Sequence, residues 1–66
     1  MPHKLKSSML SSCDHIDGCL HITFSNGKTY RYKDCPQEHL EGLKSAESPG
    51  KYFGMHIKGK YEHESD

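Results

Sequence analysis

Two cysteine–histidine pairs are the first residues of this 66-residue chain whose types and spacing could do chemistry: Cys13-x-His15 and Cys19-x-His21. Residues two apart on a strand share a face. If residues 16–18 formed a three-residue hairpin loop, His15 would face Cys19, Cys13 would face His21, and four zinc-type ligands would meet. Paired zinc ligands, however, are usually separated by about two to four residues rather than one. We therefore predict no bound metal and no cofactor.

Cys35 and His39 are a second pair that could act together, as a nucleophile and its general base. Such a pair also needs a cleft, a third group that orients the base, and an oxyanion site. A chain this short, with Pro36 beside the thiol, shows none of these. We predict that the protein is not an enzyme.

Cationic side chains could instead bind phosphate groups, with imidazole or phenol rings beside them to stack or hydrogen-bond. The candidates for nucleic-acid or partner binding are His21, Arg31, Lys33, Lys51, Lys58, Lys60 and Tyr61. The formal net charge is zero, from nine basic and nine acidic residues, which argues against binding by overall charge. The sequence therefore predicts a local basic patch at most.

Aromatic residues could form a platform on which single-stranded bases stack. The chain has no Trp and only two Phe, so its four tyrosines must also build the interior. We assign Tyr30 and Tyr32 to the core for this reason.

The element that positions most of these residues is a predicted hairpin over residues 19–33. A two-residue loop, Asn26-Gly27, would put the two tyrosines on the polar face, whereas a three-residue loop, Ser25-Asn26-Gly27, gathers the apolar residues on one face. We prefer the second register. It places Leu20, Ile22, Phe24, Tyr30 and Tyr32 on the core face, and Cys19, His21, Thr23, Thr29, Arg31 and Lys33 on the other.

The remaining elements are a strand before the hairpin and two helices after it. We predict a strand over Ser8–Asp14 and a helix over about residues 37–46, with Leu40 and Leu43 inward and His39 outward. A second helix, capped by Ser48 with Pro49 in its first turn, should run to about residue 58 and end at Gly59. The predicted fold class is α+β: a three-stranded antiparallel meander packed on one face by two short helices, in the order β-β-β-α-α.

Chain length and composition set the remaining bounds. We predict one domain over residues 1–66, with an ordered core at about 8–61 and a polar tail at 62–66; residues 1–6 are either a frayed terminus or the lead-in to a strand. Three cysteines, an odd number, argue against a disulfide framework and favour a reducing cytoplasm. No apolar run approaches the ~20 residues of a membrane span, so we predict no membrane partner.

The residues already discussed also carry a family resemblance. The run Leu20-x-Ile22-x-Phe24-x-x-Gly27-x-x-Tyr30-x-Tyr32, then Pro36, Leu40 and Leu43, then Ala46-x-Ser48-x-Gly50-x-Tyr52-Phe53 and His56-Ile57-x-x-x-Tyr61, resembles the KTSC domain. The likeness spans Ser8 to Tyr61. Two positions depart from it: Cys13, where an aromatic residue is expected, and Gly54, where a polar side chain is usual.

The resemblance implies a small domain found at the C-terminus of some lysyl-tRNA synthetases and as a stand-alone bacterial or phage protein. It implies no catalytic residues, and its attachment to a synthetase suggests RNA binding. We therefore predict a non-catalytic binding module for RNA or another nucleic acid. The alternative is a phage- or host-encoded regulator or inhibitor that binds a larger protein complex through its sheet edge or second helix. The oligomeric state stays open.

Overall fold

The part of the chain that the structure describes forms a five-stranded antiparallel sheet with two helices on one face. The computed structural model describes residues 3–5 and 7–65. Its elements are β1 (His3–Lys4), β2 (Leu10–Ile16), β3 (Cys19–Phe24), β4 (Thr29–Tyr32), α1 (Glu38–Ser45), α2 (Pro49–His56) and β5 (His63–Ser65). The strands lie in the order β1-β2-β3-β4-β5, and each neighbouring pair is antiparallel. The α+β class and both helices are as predicted, but the predicted three-stranded sheet is wrong because a short strand is added at each edge.

The hairpin of β3 and β4 has the register that the apolar pattern predicts. Leu20 pairs with Tyr32, and Ile22 pairs with Tyr30. Gly27, at φ +90°, closes the turn, and its amide donates to the Phe24 carbonyl at 2.9 Å. Glycine adopts this left-handed backbone conformation at the lowest free-energy cost. The turn that Asn26-Gly27 predicts therefore agrees with the observed hairpin register.

The turn between β2 and β3 differs from the predicted three-residue loop. Ile16 pairs with Cys19, so the loop contains only Asp17 and Gly18, both at positive φ (+51° and +79°). Two consecutive residues of this kind form a turn that matches the right-handed twist of the flanking strands. As a result Cys13 pairs with Ile22 rather than with His21, and the predicted facing of the cysteine–histidine pairs is wrong.

Strand β2 begins with an irregularity that the sequence pattern does not reveal. Leu10 pairs with Phe24 and Ser12 pairs with Thr23, so Ser11 is an extra residue opposite β3. A bulge of this kind interrupts the alternation of faces. Leu10 and Cys13, an odd number of positions apart, can therefore both be buried.

The two helices begin and end close to the predicted positions. The Ser48 hydroxyl accepts a hydrogen bond from the Lys51 amide at 3.4 Å, and Pro49 is the first residue of α2. Beyond the helix, the amides of Ile57 and Lys58 both donate to the Phe53 carbonyl. A turn at Gly59 (φ +77°) then leads the chain back toward the sheet. The short helix α2 is thus defined by a capped start and a glycine after its end.

The core lies between one face of the sheet and the two helices. Its buried residues are Leu10, Cys13, Leu20, Ile22, Tyr32, Cys35, Leu40, Leu43, Phe53 and Ile57. Phe53 packs edge-to-face against Phe24 and Tyr32, with ring centroids 5.5 and 5.6 Å apart. Phe24 itself is only partly buried. We call this side of the sheet the covered face, and the side that carries the alternate residues the open face.

The two edge strands are short and polar. In β5, His63 pairs with Tyr32, and its ring lies 5.2 and 5.6 Å from the rings of Tyr32 and Tyr30. All three residues of β5 are exposed. The polar tail predicted at 62–66 thus contains a strand at 63–65, and the strand predicted at Ser8–Asp14 begins and ends two residues later, as β2. Of the N-terminal stretch, positions 1, 2 and 6 lie outside the described residues, as does position 66.

Helix length also bears on the membrane prediction. Within residues 3–5 and 7–65, neither helix is long and apolar enough to cross a bilayer.

Candidate functional site

The open face carries rows of polar residues that run across the strands. In one row, Asp14 pairs with His21, His21 with Arg31, and Arg31 with Glu64. In the next, Ser12 pairs with Thr23 and Thr23 with Thr29, and the two threonine hydroxyls are 3.0 Å apart. A groove of about 190 Å³ lies over these rows, lined by Ser12, Cys13, Asp14, Ile16, His21, Thr23 and Thr29. The open face is therefore suited to polar ligands.

Arg31 and Lys33, predicted as phosphate ligands, both bind the carboxylate of Glu64. Arg31 Nη2 lies 3.1 Å from Glu64 Oε2, and Lys33 Nζ lies 2.9 Å from Glu64 Oε1. The hydrogen bond and charge of Glu64 raise the pKa of Lys33, and Lys33 with Arg31 lowers the pKa of Glu64. The two directions agree, so Lys33 and Glu64 are both ionised at neutral pH.

A second group of predicted ligands lies on α2 and the turn after it. Residues 49–61, which we call the α2 basic segment, contain Lys51, Lys58 and Lys60 but no acidic residue. All three lysines are exposed. In the part of the chain that the structure describes, no carboxylate lies within 4.0 Å of their amino groups. This segment is thus a local concentration of positive charge on a chain of zero formal net charge.

A chain of rings lies within the same layer. His39 Nδ1 is 3.0 Å from the Tyr52 hydroxyl, and His39 Nε2 is 3.0 Å from the Tyr61 hydroxyl. The exposed His56 ring lies over Tyr52, with centroids 4.5 Å apart and planes tilted by 39°. His39 is therefore turned toward the tyrosines and half-buried, and the prediction that it points outward is wrong.

Gly42 provides the room for this arrangement. A β-carbon at this position would overlap the Tyr52 ring. A larger residue at position 42 would therefore displace the Tyr52 ring from His39. The sequence pattern shows Gly42 only as a weak point of the helix, whereas the structure gives it a packing role.

The predicted site residues therefore form two groups rather than one patch. His21 and Arg31 lie on the open face, whereas Lys51, Lys58 and Lys60 belong to the helical layer on the other side of the sheet. Tyr61 belongs to the second group and packs against the core.

Two of the cysteines are buried, and two of the histidines that the sequence could pair with a cysteine have other hydrogen-bond partners. Cys13 and Cys35 are buried, and burial raises the pKa of each thiol to about 11, which suppresses the nucleophilic thiolate. His15 Nε2 lies 2.6 Å from the Cys35 carbonyl oxygen, and both ring nitrogens of His39 lie within hydrogen-bonding distance of tyrosine hydroxyls. Among the described residues, no three His, Cys, Asp or Glu side chains are grouped so that they could hold a metal.

Sequence reasoning missed two partners, and each has a physical explanation. Glu64 was assigned to the tail because β5 has no apolar alternation. The contact of His39 with Tyr52 and Tyr61 spans 13 and 22 positions, beyond the reach of any helical or strand period. Tyr52 and His56 are four apart on a helix, and this spacing was the one local signal that two of these rings contact each other.

Comparison with known proteins agrees with this architecture. The family model of the KTSC domain matches residues 6–61. The crystal structure of a KTSC domain protein from Yersinia pestis superimposes with a TM-score of 0.89 at 30% sequence identity, covering 100% of this chain and 96% of that chain. No curated protein gives a significant match. The chain therefore belongs to the KTSC domain family.

Proposed function

We propose that this protein is a small nucleic-acid-binding module that contacts single-stranded RNA through its α2 basic segment. The observation that carries the proposal is that Lys51, Lys58 and Lys60 are exposed within a segment free of acidic residues. Phosphate contacts supply most of the sequence-independent affinity for nucleic acids, and they need such a concentration of cations.

Rings beside the lysines add a means of contacting bases. The exposed ring of His56 lies on Tyr52, and Tyr52 is held by its contact with His39. Unstacked bases bind exposed aromatic and imidazole rings in many RNA-binding modules. A single-stranded oligonucleotide could therefore place phosphates on the lysines and a base against His56.

Salt sensitivity follows from the number of lysines. Each neutralised phosphate of a single strand contributes about 0.7 to the slope of log affinity against log salt concentration, so three contacts give a slope of about 2. Affinity should then fall by about 20-fold between 50 and 200 mM salt.

The test is a fluorescence-anisotropy titration of single-stranded RNA against the protein at these two salt concentrations. Replacing Lys51, Lys58 and Lys60 by Gln should abolish most of the binding and flatten the salt slope. The matched control replaces the exposed Lys4, Lys28 and Lys44 by Gln, which removes the same charge from other elements. Equal losses in the two triple variants, or no binding by the wild type at low salt, would refute the proposal.

Binding to a protein is the second candidate, and the exposure of Met55 favours it. Met55 lies on α2 with 68% of its surface exposed, the largest value among the exposed large apolar residues that the structure describes. A helix can bind a protein groove through apolar residues on its outer side. A complex of this kind should persist at about 0.5 M salt and weaken on Met55→Ser. An RNA complex should instead dissociate at this salt concentration and be little changed by Met55→Ser.

A further inference from the structure

Strand β5 brings a carboxylate to a position that is chemically suited to a phosphate. Glu64 lies opposite Arg31 in the sheet, and each of its two oxygens meets a different cation, Arg31 at 3.1 Å and Lys33 at 2.9 Å. Guanidinium and ammonium groups bind carboxylate and phosphate oxygens in the same way. The carboxylate therefore stands where one edge of a phosphate would lie.

We propose that Arg31 and Lys33 form a second phosphate-binding site on the open face, and that Glu64 occupies this site within the same chain. The site is separate from the α2 basic segment. It rests on the proposed function only in taking the phosphate to be that of an RNA backbone.

The contact made by Glu64 is of a kind that an external anion can displace. The side chains of Arg31, Lys33 and Glu64 are 42%, 46% and 52% exposed. Ion pairs this open to water are weak and are screened by salt. Strand β5 is only three residues long, and none of them is buried. A phosphodiester with two oxygens can therefore compete with the Glu64 carboxylate.

The surroundings of the two cations suit the rest of a nucleotide. His21 lies beside Arg31 in the sheet and lines the groove of the open face with the hydroxyls of Thr23 and Thr29. These groups can donate to and accept from sugar hydroxyls and base edges. The site thus offers a charged end and a polar groove on one surface.

The main chain keeps Glu64 near the cations even when its side chain is displaced. The Lys33 amide donates to the Glu62 carbonyl at 2.8 Å, and β4 pairs with all three residues of β5. The carboxylate therefore has a high local concentration and weakens binding of free anions. An anion that binds only the α2 basic segment is unaffected.

The test is a two-dimensional NMR titration of the ¹⁵N-labelled protein with inorganic pyrophosphate. Glu64→Gln should lower the dissociation constant by about threefold or more, with the largest shifts at the Arg31 side chain and the Lys33 amide. Glu62→Gln is the matched control, because it makes the same charge change at a neighbour of Lys33 whose carboxylate, among the described residues, forms no ion pair with that lysine. It should change the dissociation constant by less than about 1.5-fold.

A second variant separates position from charge. Glu64→Asp keeps the charge but shortens the side chain by one methylene, so it can no longer reach both cations. It should still strengthen pyrophosphate binding, whereas a purely long-range charge effect would leave binding at the wild-type value. Replacing Arg31 and Lys33 by Gln in the Glu64→Gln protein should remove the gain.

Three results would overturn the second site: equal responses of the Glu64 and Glu62 variants, shifts centred outside β4, or no pyrophosphate binding by any variant. The RNA titration described above tests binding by the α2 basic segment independently. A gain in pyrophosphate binding without RNA binding would therefore reject the proposed function and keep this site. RNA binding through the α2 basic segment without a gain in pyrophosphate binding would keep the proposed function and reject this site.

Discussion

The two faces of the sheet are built from alternate residues of the same strands, yet they are stabilised in different ways. On the covered face, Leu20 and Ile22 are fully buried and pack against the helices. On the open face, the residues that alternate with them, His21 and Thr23, pair in the sheet with polar residues of β2 and β4. Burial contributes kilocalories per side chain, whereas exposed polar pairs contribute little. The covered face therefore determines the fold, and the open face can vary without loss of it.

The largest effect should come from the centre of the covered face. Phe53→Ala removes a ring that is 5% exposed and contacts both Phe24 and Tyr32. We expect a loss of about 3–5 kcal/mol, which approaches the whole stability of a domain this small. Urea denaturation followed by circular dichroism measures it. Phe24→Ala, at a partly buried position, is the comparison, and a larger loss there than at Phe53 would contradict this account of the core.

Alkali should also act through the covered face. Burial raises the pKa of Cys13 and Cys35 from 9.0 to about 11 and that of Tyr32 from 10.0 to about 12. The folded protein then holds these protons at a pH where the unfolded chain releases them, so stability is present below pH 9 and falls as pH rises through 11. We expect each buried thiol to contribute a loss on the order of 2 kcal/mol by pH 11. Urea midpoints at pH 8 and 11 measure it, and a Cys13→Ala, Cys35→Ala protein should lose less over this range.

Two helical glycines test whether close packing extends into the helix layer. Gly42→Ala should destabilise the protein by about 1–2 kcal/mol, because overlap with Tyr52 outweighs the gain in helix propensity. Gly54→Ala meets open space and should stabilise the protein by up to about 1 kcal/mol. In thermal denaturation, the midpoint temperature should fall for Gly42→Ala and rise for Gly54→Ala. Stabilisation of both would mean that Tyr52 is not held as described.

The smallest effect should come from the open face. Because Lys33 and Arg31 lower the pKa of Glu64 below its ordinary 4.5, their pairing contributes stability above that pH and loses it as pH falls through the lowered value. The urea midpoint of Glu64→Gln should therefore lie slightly below that of the wild type at pH 7, and the difference should vanish as pH falls through the lowered pKa of Glu64. A large deficit at pH 7 would show that the open face contributes more to stability than its exposure implies.

The parts of the fold that could be predicted are those with a strong local signal. Asn26-Gly27 and the alternation on both sides of it fixed the central hairpin, and Ser48-Pro49 fixed the start of α2. The Asp17-Gly18 turn was misassigned because the run from Asp14 to Gly18 is compatible with either loop length. Only the pairing of whole strands decides between the two registers.

The candidate site was less predictable than the fold. The basic residues were found, because charge is visible in sequence, but their division between two sides of the sheet depends on topology. Strand β5 is too short and too polar to show a period, so the partner of Arg31 and Lys33 was missed. Contacts between residues far apart in sequence, such as His39 with Tyr61, leave no periodic signal at all.

The position of His39 between two phenols has a consequence for where its hydrogens lie. A neutral imidazole has one N–H and one lone pair, so one ring nitrogen must donate and the other must accept. Tyr52 and Tyr61 must then differ: one hydroxyl donates to His39 while the other accepts from it. The three side chains share one direction of hydrogen bonding, and reversing it requires a change of tautomer with rotation of both hydroxyls. The ¹⁵N chemical shifts of the His39 ring would reveal that direction. Replacing either tyrosine by phenylalanine would leave one ring nitrogen of His39 without its hydroxyl partner, so the tautomer would reverse or both tautomers would be populated.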